Sequence, residues 1–278
     1  MSYYTLLGLD KEPFSTSPDP DFFYDSQEHH SALTRLVIEI RLKRGLSLVL
    51  GDVGVGKTTL LRKLLRGFTE RPDIIYTVIF DPTYENEKAF ITDLMEHFNI
   101  DFECSSAGLV ECKHALKNFL FQKGVEENKT IVLLVDEAQK LSLASLEVLR
   151  SFLNYETNEY KLLQLVLLSQ LEILPELRKM PNFLDRINFK CLLLPLSAEE
   201  SYEMVDFRLR KGGLRSKRSL FNAGALEEIY RVTGGYPRRI TMFCHQLLKE
   251  LVMRGLTEVD SALAHEIFLQ ETKILNVR

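Results

Sequence analysis

Tryptophan is absent from these 278 residues, and the four cysteines, Cys104, Cys112, Cys191 and Cys244, form no C-x-x-C pair. Each sits among apolar residues as a small core-filling thiol does, so the expectation is four separate thiols, a reducing compartment and no metal site. A basic excess is missing too: 35 Lys and Arg stand against 39 Asp and Glu, a formal net charge of −4 with a pI near 5.9. A dedicated nucleic-acid binder carries the opposite balance. No stretch reaches the ~20 apolar residues that a membrane span needs. The opening Met1-Ser2-Tyr3-Tyr4-Thr5-Leu6-Leu7-Gly8-Leu9-Asp10 lacks the basic region and small-residue cleavage site of a secretory signal. These absences predict a cytoplasmic protein with no span in this chain, any membrane association coming through a partner or through sequence absent here.

What is present is a core-forming composition, 45% apolar, and one run that organises the rest. Gly51-Asp52-Val53-Gly54-Val55-Gly56-Lys57-Thr58-Thr59 fits G-x-x-x-x-G-K-[ST]. The apolar stretch 46–50 precedes it, and Leu60, Leu61, Leu64, Leu65 and Phe68 follow at helical spacing, which predicts strand, loop and helix. The glycines let successive backbone N–H groups converge on an anion without Cβ interference, and the opening helix directs its positive end there. Lys57 is placed to reach β- and γ-phosphates, and the Thr58 hydroxyl to be a Mg²⁺ ligand. The ligands expected are therefore a nucleoside triphosphate and Mg²⁺.

Ile131-Val132-Leu133-Leu134-Val135-Asp136-Glu137 is the second chemical element, a buried strand ending in two carboxylates. There Asp136 can hold a Mg²⁺-bound water, and Glu137 can orient or deprotonate the water that attacks the γ-phosphate. The run 162–168 is another buried strand, ending in Ser169-Gln170. If that strand neighbours the phosphate-loop strand, Gln170 becomes a candidate γ-phosphate sensor.

Strands are also predicted over 74–80 and 189–195, and together the five alternate with helices, which implies a parallel α/β sheet. Residues 1–45 read as an aromatic N-terminal arm and a leading helix, 46–195 as the nucleotide-binding α/β domain, and 196–278 as a small helical lid domain. Residues 8–25 contain three prolines with Phe14, Phe22, Phe23 and Tyr24, an extended stretch suited either to covering an adenine or to plain core packing. In the second domain Gly234-Gly235-Tyr236-Pro237-Arg238-Arg239 ends one helix and opens another. Cations at a helix start call for a nearby anion such as phosphate. The most basic stretch, Arg208, Arg210, Lys211, Arg215, Lys217 and Arg218, is either a strip for DNA or another partner or a solvated helix end.

Taken together, these residues resemble the AAA+ ATPases, specifically the ExeA-like branch of general secretion pathway protein A. The resemblance runs over essentially the whole chain, from the 14–24 signature (Phe14-Ser15-Thr16-Ser17-Pro18-Asp19-Pro20 with Phe22, Phe23 and Tyr24) to Walker A at 51–59, Walker B at Val135-Asp136-Glu137-Ala138-Gln139, sensor 1 at 162–170 and sensor 2 at Gly234-Gly235-Tyr236-Pro237-Arg238. It implies Lys57, Thr58, Asp136 and Glu137 as the hydrolysis machinery, Gln170 as sensor 1, Arg238 as sensor 2 and Arg186 as an arginine finger for a neighbouring subunit. The sensor 1 region reads Ser169-Gln170-Leu171-Glu172 where these relatives usually have Gly-Gln-Pro-Glu. Full-length secretion members continue into a transmembrane helix and a peptidoglycan-binding domain, absent from these residues, so a stand-alone relative and a piece of a longer membrane-anchored protein are both expected possibilities.

The leading expectation is an oligomeric ring or filament that hydrolyses ATP and assists assembly of a secretion or pilus system, at the inner face of a bacterial inner membrane. Two alternatives stay open. One is an ATP-dependent DNA-binding regulator of the transposition-regulator type, contacting DNA through 208–218. The other is a nucleotide-gated scaffold with little turnover.

Overall fold

A computed structural model describes residues 2–15, 19–104, 107–216 and 219–275. Five strands, β1 (Leu46–Gly51), β2 (Ile74–Ile79), β3 (Thr130–Val135), β4 (Leu163–Ser169) and β5 (Ile187–Leu193), form one sheet in the order β2-β3-β4-β1-β5, every pair parallel. Continuous apolar runs make central strands because both faces must be covered: every residue of β4 is buried. At the edge, β5 alternates, Ile187, Phe189 and Leu193 buried against exposed Asn188, Lys190 and Leu192.

One face carries the larger core, in which Leu48, Leu133, Val135, Leu165 and Leu167 meet residues of α4 (Glu87–His97), α5 (Leu109–Phe121), α6 (Leu143–Phe152) and the short α7 (Leu174–Arg178) and α8 (Pro181–Leu184). On the other side α2 (Gln27–Arg41) touches β1 and β5, and shares an apolar groove with α3 (Lys57–Phe68). The connection from β1 leads away to the far edge at β2, while that from β4 passes to β5. The strand order therefore reverses at β1 and β4, and in open parallel sheets such a switch point, outside the carboxyl ends of the strands, is where ligands bind.

By contacts the chain divides into two units, one comprising 27–53 and 60–193, the other 1–26, 54–59 and 194–278. The second is helical: α9 (Ala198–Lys211), α10 (Ala223–Thr233), α11 (Pro237–Met253) and α12 (Ser261–Leu275) enclose their own core with Leu196, Phe221 and Val259. Helix α9 opens on a reciprocal cap between Ser197 and Glu200. The N-terminal segment packs here, beginning with the short α1 (Tyr3–Leu6), which the sequence did not announce. Phe14 is fully buried in this core, edge-on to Phe221 with ring centroids 6.1 Å apart. Of its signature, Thr16, Ser17 and Pro18 lie outside the described residues.

Gly235 shows why the turn before α11 requires glycine. Its φ is +75°, its carbonyl accepts from Leu196 N at 2.9 Å, and a Cβ there would lie 2.1 Å from the Leu196 carbonyl oxygen.

The cysteine expectation is corrected in one respect. Cys104 and Cys112 are not separate thiols but form a disulfide, their Cα atoms 5.7 Å apart. Cys104 stands beside the first turn of α5, a closeness that an eight-residue spacing does not reveal. Cys191 and Cys244 are free, and burial pushes the Cys191 thiol up to about 12.

Candidate nucleotide site

The phosphate-type loop leaves the buried end of β1 and runs into α3, whose first residue is Lys57. Gly54 and Gly56 have φ of +87° and +109°. Other residues enter that region only with strain, and alternation through it is what lets backbone N–H groups gather around an anion. Lys57 is buried, 6% exposed.

Gly54 also meets the helix-opening turn within its own unit. Its carbonyl accepts from Arg238 N at 3.1 Å, and a Cβ at Gly54 would lie 3.0 Å from Arg238 Cβ. The backbone of Arg238 thus rests on the loop, with Arg238 itself exposed, while Arg239 stacks its guanidinium over Tyr236 at 4.8 Å. Gly54→Ala is accordingly expected to lower ATP affinity at least tenfold, because the left-handed backbone costs about 1–2 kcal/mol and the loop must also move off Arg238. Equilibrium titration with a fluorescent ATP analogue measures it.

On the sheet, Leu50 pairs with Ser169, which sets Gln170 beside the end of the loop strand. Asp136 and Glu137 follow β3 on the other side of β4. Asp136 is 3% exposed, and its Oδ1 accepts from Glu137 N at 3.0 Å. Glu137 has φ +52° and ψ +36°, a left-handed conformation that a non-glycine residue adopts only under local constraint, and it starts the 3₁₀ turn Ala138–Lys140.

That turn brings up a residue to which the sequence reading gave no role of its own. Gln139 donates from Nε2 to Glu137 Oε2 at 2.6 Å, and its Oε1 lies 3.1 Å from Gln170 N and 3.2 Å from the Ser169 hydroxyl. Gln170 Nε2 adds a longer contact to Glu137 Oε2 at 3.4 Å. The available signal was position: two residues beyond a strand-end carboxylate, a tight turn carries a side chain back over the strand.

Arg186 is not brought to this edge. It precedes β5, whose Ile187 pairs with Leu46 at the amino end of β1 and whose Leu193 pairs with Gly51 at the carboxyl end. Across those seven residues the separation is about 20 Å at ~3.3 Å per residue. Its guanidinium donates to Asn154 Oδ1 at 2.6 Å and to the Asn182 carbonyl.

The basic strip is largely tied down. Arg208 is mostly buried, donates to the Pro13 carbonyl at 3.2 Å and lies over the Phe22 ring, and burial pulls its guanidinium down to about 10. Arg210 donates to the Ser216 carbonyl at 2.8 Å and lies against Asp206, and Arg215 lies 3.7 Å from Asp10. Lys211 is exposed, and Lys217 and Arg218 lie outside the described residues.

A family model described as an AAA domain matches residues 40–189, more than half of the chain. General secretion pathway protein A of Aeromonas hydrophila is 35% identical over 255 residues, covering 91% of this chain and 45% of that protein. Two solved structures share the fold. The Aeropyrum pernix ORC2 protein, in ADPNP–ADP complexes, has a TM-score of 0.64 at 17% identity over 87% of this chain and 66% of its own. Drosophila ORC bound to DNA has a TM-score of 0.66 at 19% identity, covering 95% and 65%. The chain spans less than half the length of the curated relatives it matches. With a five-stranded parallel sheet, a strand–loop–helix at its switch point and a following helical unit, the chain belongs to the AAA+ ATPase family and resembles, within it, general secretion pathway protein A.

Proposed function

We propose that this chain binds ATP with Mg²⁺, hydrolyses it, and uses nucleotide-dependent oligomerisation to assist assembly of a secretion or pilus system. The observation that carries the catalytic part is the loop with glycines at φ +87° and +109°, in the same fold as a carboxylate pair that ends a central strand. The donor set fits a hard divalent cation, since the Thr58 hydroxyl and the Asp136 carboxylate are oxygen ligands of the kind Mg²⁺ takes. When bound, Mg²⁺ neutralises charge on the phosphates. Lys57 holds the β- and γ-phosphates, Glu137 orients the attacking water and accepts its proton, and Gln170 and Arg238 contact the γ-phosphate.

The secretion role is supported by the similarity to general secretion pathway protein A. No described helix is long and apolar enough to cross a membrane, and the proposed location is cytoplasmic, at the inner face of the bacterial inner membrane through a partner. The test is phosphate release and ATP-dependent sizing of the purified protein, with and without duplex DNA across a salt series. Turnover with ATP-driven assembly, independent of DNA, is expected. ATP binding without phosphate release would mark a nucleotide-gated scaffold. DNA binding that falls steeply with salt would mark the transposition-regulator type, using Lys211 and neighbours in 208–218.

A further inference from the structure

Glu137 sits on a turn, where a glutamate side chain can sweep through several rotamers, yet its position as the hydrolytic carboxylate requires one. The structure holds it chiefly from Gln139, with Gln170 Nε2 a longer contact at 3.4 Å. Gln139 Nε2 lies 2.6 Å from Glu137 Oε2, while the opposite end of the same carboxamide faces two donors on the end of β4, Gln170 N at 3.1 Å and the Ser169 hydroxyl at 3.2 Å. This pairing fixes which end of the carboxamide points where. A backbone N–H and a carboxylate can both be satisfied by one side chain only if its oxygen meets the former and its nitrogen the latter. Ser169 is fully buried, so the acceptor it meets cannot be replaced by bulk water.

We propose that Gln139 is a positioning residue for ATP hydrolysis: its carboxamide ties Glu137 to the carboxyl end of β4, setting the hydrolytic carboxylate and Gln170 in one fixed relation. The inference rests on Glu137 being the hydrolytic carboxylate. Gln139 itself touches neither nucleotide nor water in this role, and acts through Glu137. The pairing also explains a choice of residue. Glutamate at 139 would turn a second carboxylate toward Glu137, and a hydrophobe would leave the buried Ser169 hydroxyl and Gln170 N–H without this acceptor.

The experiment compares Gln139→Met, Gln139→Glu, Glu137→Gln and the double variant Gln139→Met/Glu137→Gln. It measures kcat, KM, ATP-analogue affinity and Tm. Misplacing a reacting group by about 1 Å costs on the order of 10²-fold, so Gln139→Met and Gln139→Glu are expected to lower kcat roughly 10- to 100-fold with KM and nucleotide affinity within about twofold. Adding Gln139→Met to Glu137→Gln is expected to cost nothing further, because the group being positioned is already gone. Parental turnover in both Gln139 variants overturns the proposal. So does a loss that tracks Tm or nucleotide affinity, or a Gln139→Met penalty that multiplies in full onto Glu137→Gln. Parental turnover in Glu137→Gln instead overturns the assignment of Glu137, and with it this inference.

Discussion

Glu137→Gln is expected to leave ATP affinity within about twofold of the parent and to lower turnover by roughly 10²- to 10⁴-fold, the usual span for removing a general base. The substitution keeps size and shape, and its amide can still occupy the left-handed turn at φ +52°, so the loss reports chemistry and not folding. What disappears is the acceptor for a proton of the attacking water. Lys57→Ala has the opposite phenotype. Lys57 is buried at the first residue of α3, and removing its ammonium takes away the point charge that compensates the β- and γ-phosphates. Binding is expected to fall below detection at concentrations that saturate the parent, turnover being lost with it. Titration of a fluorescent ATP analogue beside a phosphate-release assay separates the two variants. A parental rate from Glu137→Gln would remove it from the mechanism.

On the proposal that Arg186 serves the site of another subunit, Arg186→Ala is expected to keep ATP affinity and to lose activity by a factor on the order of 10³ or more. The geometry keeps Arg186 away from the strand ends of its own chain. Arg186 lies at the amino end of β5, opposite the edge where Asp136 and Gln170 end their strands, about 20 Å along seven residues of strand. An arginine side chain cannot span that distance within its own chain, so action on phosphate requires a neighbour. Its hydrogen bonds to Asn154 and to the Asn182 carbonyl then orient the guanidinium. Parental activity per subunit is expected to rise with protein concentration. Mixing Arg186→Ala with Glu137→Gln is expected to restore part of the parental rate, because one interface in the mixture joins an intact carboxylate to an intact arginine. A rate that stays flat with concentration, together with an inactive mixture, would leave Arg186 as the anchor of Asn154 and shift the search to Arg178.

Much of this molecule is legible along the chain because the information is local. A strand that must be covered on both faces reads as an unbroken apolar run, as 131–135 and 165–168 do, and a phosphate loop reads as glycines at set intervals because only glycine enters the required φ freely. Helix α9 announces itself through Ser197 and Glu200, three residues apart in one capping box. Element ends were less exact. The strand read from Phe189 begins at Ile187, since pairing with Leu46 and not apolarity sets its start.

Other features depend on contacts between residues distant in sequence. Whether Gln170 stands beside the loop strand turned on which strand pairs with β1, and the Leu50–Ser169 pairing is a property of the sheet order, not of either segment. The disulfide between Cys104 and Cys112 joins a residue before α5 to that helix's first turn, a pairing that spacing does not encode. The basic strip reads in sequence as a partner surface or a solvated helix end, yet Arg208 lies over Phe22 and donates to the Pro13 carbonyl because the N-terminal segment packs with the helical unit. Gln139 is the sharpest case. Its residue type carries no chemistry alone, and its place between Glu137 and the end of β4 exists only once two parallel strands lie side by side, because a side chain's hydrogen-bond partners are chosen by the fold that surrounds it.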